Sequence, residues 1–349
     1  MRRAVVSFLT LTQRQLNRAL LARQLLLKRG RMSLPKVLEQ VAGLQAQYAP
    51  SMYIGLWSRL EGFKRDDLNR ALESRSVVLG TLMRVTIHLV SARDYWLFAA
   101  GVRRSRREWW LRVQPQRSSP RDLGAAAARL RRHLAAGPLR AAEIDRLLGK
   151  PLSGGVGLWV DLVRVPPSGT WERRRADLYA AAEEWLKPAD VTPEEGLQHL
   201  VRAYLRGFGP ATPNDIANWA GMPVRDVASA LKRLRLRRFR SETGEELVDL
   251  PRAPLPDPET PAPVRFLPTW DATLLAHARR TGVLPEKYRP RVFTTKTPQS
   301  VATFLVDGKV AGIWKYEHGR VRLEPFERLD RSTLRELHEE GDRLAAFHA

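Results

Sequence analysis

The chain has 349 residues, with 59 lysines and arginines against 37 aspartates and glutamates, a formal net charge of +22, and no cysteine. The missing thiols exclude a disulfide framework, thiolate zinc ligands and a cysteine nucleophile, and 44% hydrophobic residues with ten tryptophans exclude global disorder. Such a surplus of positive charge attracts a polyanion, most commonly nucleic acid, although an arginine-rich genome raises the same figure without any partner.

The start is cationic. Its apolar run over residues 4–11 is broken by Ser7 and Thr10, with no small-residue cleavage site after it, so no signal peptide is expected. No uninterrupted apolar stretch of about 18 residues occurs, so no membrane span is expected either. The expected location is the cytoplasm, on the nucleoid.

Residues 12–28 read as a helix, with Leu16, Leu20, Leu21 and Leu27 near helical spacing. Ser33 and Pro35 open a second helix through about residue 44, and Asp66 or Asp67 opens a third. VVLGTLMRV and TIHLVS are β-rich runs able to pair, and Ser91 caps a helix ending near Ala100. A similar plan follows over residues 121–188: helices DLGAAAARLRRHLAA and RAAEIDRLLG, stopped at Gly149, then LWVDLVRV and ADLYAAAEEW around the loop PPSGTWERRR. A third copy spans residues 192–250. PEEGLQHLVRAYLRGFG is a helix; Thr212 and Pro213 open another, Gly221 makes a tight turn, and Pro223 opens the next. LRLRRFRSETGEELVDLP then reads as strand, turn, strand. Residues 251–263 hold six prolines in thirteen positions, a stiff spacer. Beyond it come strands around an Asp307-Gly308 turn and a Gly319 turn, then a helix over residues 332–347.

Helix–turn–helix followed by a hairpin is the winged-helix plan. The expected fold is α+β, mainly α: winged-helix units over residues 1–120, 121–190 and 191–251, a proline-rich linker at 252–263, and a small β-barrel or meander module with a last helix at 264–349. Cations gather where winged helices face DNA. Arg225, Lys232 and Arg233 fall on the third recognition helix, and Arg235, Arg237, Arg238 and Arg240 on its wing. Arg173, Arg174 and Arg175 fall in the second wing loop. Arg103, Arg104, Arg106 and Arg107 sit beside Trp109 and Trp110. They read as phosphate contacts or as solvated surface.

Searches for catalytic motifs mostly fail. Residues 154–157 (GGVG) are too short for a phosphate loop and lack the following lysine; His88, His199, His277 and His318 lack metal-ligand spacing; no Gly-x-Ser-x-Gly elbow occurs. No metal and no cofactor are expected. One segment, VAGLQAQYAPSMYIGLW, stands out. Gln45 and Gln47 fall on opposite faces of a helix but on one face of an extended chain. Pro50 disfavours helix at Ala49, so the helix is expected to end near Gln45 and the amides to converge on one spot. The alternative is that they cap helix carbonyls or face water.

LQAQYAPSMYIGLWSRL, LMRVTIHLVSARDYW and FLPTWDATLLAHARR, in that order, resemble the AlkZ/YcaQ-like winged-helix DNA glycosylases of bacteria over nearly the whole chain. The resemblance implies that Gln45 and Gln47, with Ala46 between them, are the Gln-x-Gln form of that family's catalytic pair. Relatives of this form remove alkylated purines, and some unhook interstrand crosslinks. No Schiff-base lysine stands beside the pair, Lys36 lying more than two helical turns earlier, so a monofunctional glycosylase that uses water and cuts no strand is expected. The expected partner is damaged duplex DNA, bound by a monomer with no obligate protein partner. By match, Arg84 is the candidate for phosphate contact. His88 either contacts DNA or ties the hairpin. Tyr48, Tyr53 and Trp57 stack on a base or pack in the core, and Asp271, with His277 and Arg279, fixes the β module. The competing reading is a non-enzymatic winged-helix DNA binder, either a transcription regulator or a nucleoid protein, for which the glutamines are incidental.

Overall fold

The structure, a computed structural model, describes residues 8–114, 118–277, 282–293 and 300–349. The first part of the opening apolar run, residues 4–7, and Arg279 lie outside the described residues. Helix covers 48% and strand 18%, a mixed fold in which helix outweighs strand.

Short polar side chains cap several of the helices. Thr12, Ser91 and Thr212 each accept a hydrogen bond from the backbone N–H three residues on, and Thr212 forms a reciprocal capping box with Asp215. Ser33 holds its cap position without a side-chain bond. Three helix ends differ from expectation. The first helix is Gln13–Arg23 rather than reaching residue 28, because Leu25, just past its cap Gln24, turns left-handed with φ of 57°. The helix opened by Ser91 runs Ala92–Val113 rather than stopping near Ala100, because Val102, Arg106 and Trp110 continue its buried face. The helix after Ser33 is Leu34–Val41, ending before residue 44, because Ala42 and Gly43 both turn left-handed, with φ of 62° and 77°. A Cβ on Gly43 would lie 2.9 Å from Val90, so glycine alone fits this exit.

A six-stranded sheet runs in the order Leu44–Gln45, Ile87–Ser91, Val77–Thr81, Leu162–Arg164, Leu178–Ala181, Leu139–Arg140. The strands of the first and second segments thus share one sheet, joined where Leu79 faces Arg164 and Gly80 faces Val163. In the third segment, helices Pro213–Ala220 and Val224–Leu231 precede the paired strands Arg237–Ser241 and Glu246–Asp249, and Thr10–Leu11 pairs parallel to the first of these. The C-terminal strands Arg265–Leu267, Thr303–Val306, Lys309–Glu317 and Arg320–Pro325 form an antiparallel sheet in sequential order, and helix Arg331–His348 lies against it. This sheet stays open. The barrel alternative is corrected, because no closed barrel is found among the described residues.

Apolar packing crosses the segments. One cluster joins Tyr95 and Phe98 of the first segment to Tyr204 and Trp219 of the third and to Leu305. A second joins Leu44 and Tyr53 to Phe266, Trp314 and Leu344. The second segment keeps its own core around Leu130, Leu134 and Ile144. No helix among the described residues is long and apolar enough to cross a membrane.

Candidate active site

After the left-handed exit at Ala42 and Gly43, the chain pairs antiparallel with the hairpin strand Ile87–Ser91, Leu44 opposite Leu89 and Gln45 opposite His88. The ladder continues through the bond from the Ala46 N–H to the Ile87 carbonyl, 2.8 Å. Tyr48 is still extended, and the next helix, Ala49–Arg59, starts with Pro50 in its first turn. The expectation that Pro50 keeps Ala49 out of helix is therefore corrected, because the first turn has no use for the missing N–H.

Both amides reach the tip of the first hairpin. Gln45 is 6% exposed, and its Oε1 accepts a hydrogen bond from Arg84 Nη2 at 2.9 Å. Gln47 is exposed, and its Oε1 accepts from the Ile87 N–H at 2.7 Å. The tip is tightly wound: Arg84 and Val85 are both left-handed, with φ of 51° and 58°. Such a backbone costs roughly 1–2 kcal/mol per residue and survives only where its surroundings hold it.

Arg84, read from the sequence as a phosphate contact, is half-buried and engaged within the protein. One arm reaches Gln45, and Nη1 donates to the Trp219 carbonyl at 2.6 Å. His88 is 2% exposed and lies inside the hairpin, Nδ1–H donating to the Thr86 carbonyl at 3.0 Å. Burial, with the Arg84 charge added, pushes its pKa down to about 3, so it is neutral at physiological pH. The sign follows directly. The unfolded chain binds a proton near pH 6.5 that the folded one refuses until about pH 3, so stability falls as pH drops through that window. Between pH 7.5 and pH 5 this one group should cost about 2 kcal/mol. Urea midpoints at the two pH values, compared between wild type and His88→Gln, should differ by that amount; equal acid sensitivity would refute the assignment.

The basic positions separate into groups. Arg173 is exposed on the loop of the second segment. Arg174 donates to the Tyr48 hydroxyl at 3.0 Å and lies 5.8 Å from its ring centroid, bringing this loop beside Gln47. Arg175 pairs with Asp177 at 3.0 Å. Arg173, Arg174, Arg175 and Arg140 line a cavity of about 260 Å³. On the third segment, Arg225 is exposed on its helix. Lys232 caps the helix end and Arg233 lies beyond it, ion-paired with Glu194, so neither stands on the helix body as expected. Arg235 lines a cleft of about 640 Å³ with Gln40, Arg206 and Arg252. Arg237 is half-buried, 2.7 Å from the wholly buried Asp249, which also binds Arg23.

Of the aromatics near the pair, Tyr53 is buried, donating to Asn69 and packed edge-on to Trp171, and Trp57 lies under the Arg29 guanidinium, whereas Tyr48 is 42% exposed. Asp271 is buried against Arg59, and His277 lies 3.3 Å from the Tyr204 hydroxyl. Among the described residues, no group of three or more His, Asp or Glu side chains is placed to hold a metal ion. Sequence reasoning missed Trp219, whose backbone carbonyl accepts from Arg84 and which carries no side-chain signal for that contact.

A family model described as DNA glycosylase AlkZ-like matches residues 38–347. No curated protein matches the chain. In three dimensions it is similar to the Streptomyces sahachiroi DNA glycosylase AlkZ, with a TM-score of 0.82 over 97% of this chain and 98% of that one at 18% identity, a likeness of fold.

Proposed function

The chain belongs to the AlkZ-like DNA glycosylase family, and from that membership we propose that it hydrolyses the N-glycosidic bond of alkylated, cationic purines in duplex DNA, with water oriented by Gln45 and Gln47. The observation that carries this reading is the pair of uncharged amides on one hairpin tip, one buried and one open to solvent. A purine alkylated at its major-groove ring nitrogen is a cation and leaves as a neutral molecule without an acid to protonate it. What remains is to place water at the anomeric carbon and to stabilise oxocarbenium character. Amides are too weakly basic to activate water strongly, but they orient it and present a carbonyl dipole to positive charge. The pair therefore suits an activated leaving group and fails on ordinary bases.

No strand cleavage is expected. Lys36, the nearest lysine in sequence, holds Glu39 at 3.0 Å on the preceding helix. The helix–turn–helix segments with their hairpins act as winged helices around the duplex, and the protein works as a monomer. A purine tied covalently to the opposite strand cannot swing out freely, so crosslink unhooking requires attack within the duplex; permanganate probing of a bound duplex that showed full base extrusion would argue against it.

The test is base release from duplexes carrying methylated, bulky or crosslinked purines. Strand breaks should appear at the lesion only after hot alkali. Breaks without alkali, or no release from any of these duplexes, would remove the proposal. Grip on phosphate is proposed for Arg173, Arg174, Arg175, Arg225, Lys232, Arg233 and Arg235. Arg173→Ala should lower the slope of log K against log salt by about 0.9, the amount expected for one phosphate contact. Arg237→Ala should leave that slope unchanged, because its guanidinium is engaged by Asp249.

A further inference from the structure

We propose that Arg84 is a positioning residue for the reaction, a two-armed clamp that fixes the Gln45 amide against the end of a helix in the third segment. The inference rests on the glycosylase reading above and adds to it a part played by residues far from the pair in sequence.

Guanidinium offers only N–H donors, so the Gln45 atom facing Arg84 at 2.9 Å must be the carbonyl oxygen. A flipped amide would set donor against donor. The Gln45 NH2 end is therefore turned away from Arg84. By the same logic the Ile87 N–H fixes Gln47, whose Oε1 it meets at 2.7 Å. Each carbonyl keeps a second lone pair for water, and each amide has one orientation.

What holds Arg84 lies elsewhere. Its other arm reaches the Trp219 carbonyl at 2.6 Å. That carbonyl belongs to the last turn of helix Pro213–Ala220, where carbonyls lack intrahelical partners and carry the negative end of the helix dipole. Behind it, Gly221 turns left-handed with φ of 73°, and a Cβ there would lie 2.9 Å from Arg84 Cα and 3.0 Å from its backbone nitrogen. The left-handed tip at Arg84 and Val85 is thus braced from behind by the third segment. Gln45, Arg84 and Trp219 form a continuous polar link from the amide to a helix end 135 residues beyond the arginine.

Single-turnover release of 7-methylguanine from a duplex at saturating protein, together with duplex affinity, tests the clamp. Arg84→Met should slow release about 10- to 100-fold, the range for losing the alignment of a catalytic group, while affinity stays within about threefold. Arg84→Lys should recover only part of the rate, because one ammonium does not span two carbonyls in the fixed fork of a guanidinium. Gly221→Ala, which leaves every polar group of the link in place, should slow release with affinity retained. In a Gln45→Ala background, Arg84→Met should cost nothing further, the mark of two groups acting as one unit. Multiplied losses in that background would overturn the clamp. So would an Arg84→Met protein that releases base at the wild-type rate when saturated but binds with a reduced salt slope, the signature of a phosphate contact. Should Gln45→Ala keep the wild-type rate, the amide reading falls and the clamp with it. Should Gln45→Ala be slow while Arg84→Met and Gly221→Ala are not, the clamp alone falls.

Discussion

Replacing Gln45 and Gln47 together by alanine should slow base release from an N7-alkylated purine by about 10²- to 10³-fold, the range seen when a preorganised polar group is removed from a developing charge. Duplex affinity should stay within about twofold, because neither amide carries charge to phosphate. The single variants should differ in stability. Gln47 is exposed, so water can replace its bond to the Ile87 N–H, and Gln47→Ala should melt near wild type. Gln45 is buried on Arg84, and its loss leaves a half-buried guanidinium with one partner fewer, so Gln45→Ala should melt lower by about 1–3 kcal/mol. Single-turnover kinetics with melting curves on the same preparations separate the two effects. A double variant that retains full activity would dismiss the pair as the site.

The second large effect is on folding. Asp271→Ala should destabilise the protein by about 3–5 kcal/mol, the cost of leaving a buried charge unpaired. Arg59 and Asp271 are 0% and 1% exposed at their side chains and meet through paired bonds of 2.9 and 2.8 Å. Arg59 also donates to the Gly55 carbonyl, Gln24 and Thr273. Burial alone would raise the Asp271 pKa; the Arg59 charge and the bonds from Arg59 and Thr273 outweigh it and hold the carboxyl below its usual range. The contribution of this carboxylate is therefore present above about pH 4 and lost as pH falls through the lowered folded value, a window distinct from that of His88. Replacing both partners with apolar residues of similar size should restore most of the loss, since the pair itself is worth little beyond satisfying its own charges. Urea unfolding of Asp271→Ala and of an Arg59→Met, Asp271→Leu protein provides the comparison. A single variant within about 1 kcal/mol of wild type would show that the guanidinium finds other partners or water.

Features of local origin were legible in the sequence. Ser91 and Thr212 cap helices because a short polar side chain reaches a backbone N–H three residues on, whatever surrounds it. Gly221 ends a helix and Gly308 follows the left-handed Asp307 because their backbone needs are set within one turn. Gln45 and Gln47 stood out because two amides with one residue between them share a face only when extended, and the chain there is extended.

What the sequence left open depends on groups far apart along the chain. Arg84 beside a hairpin reads as a surface cation, and its use as a clamp requires a carbonyl 135 residues away. Arg237 reads as one more basic residue on a strand, yet it pairs with the buried Asp249, which also binds Arg23. His88 reads from the sequence as a DNA contact or a hairpin tie, and only the fold shows that it is 2% exposed. By itself, then, the amino-acid order determined several helix caps and turns, the excess of cations and the Gln-x-Gln spacing, because these depend on side chains within a few positions of one another. Only the tertiary structure decided which cations face solvent, where two hairpins merge into one sheet and what holds the Gln45 amide in place. Those outcomes arise where distant segments exclude water together, and the burial that fixes them is a property of the assembled fold.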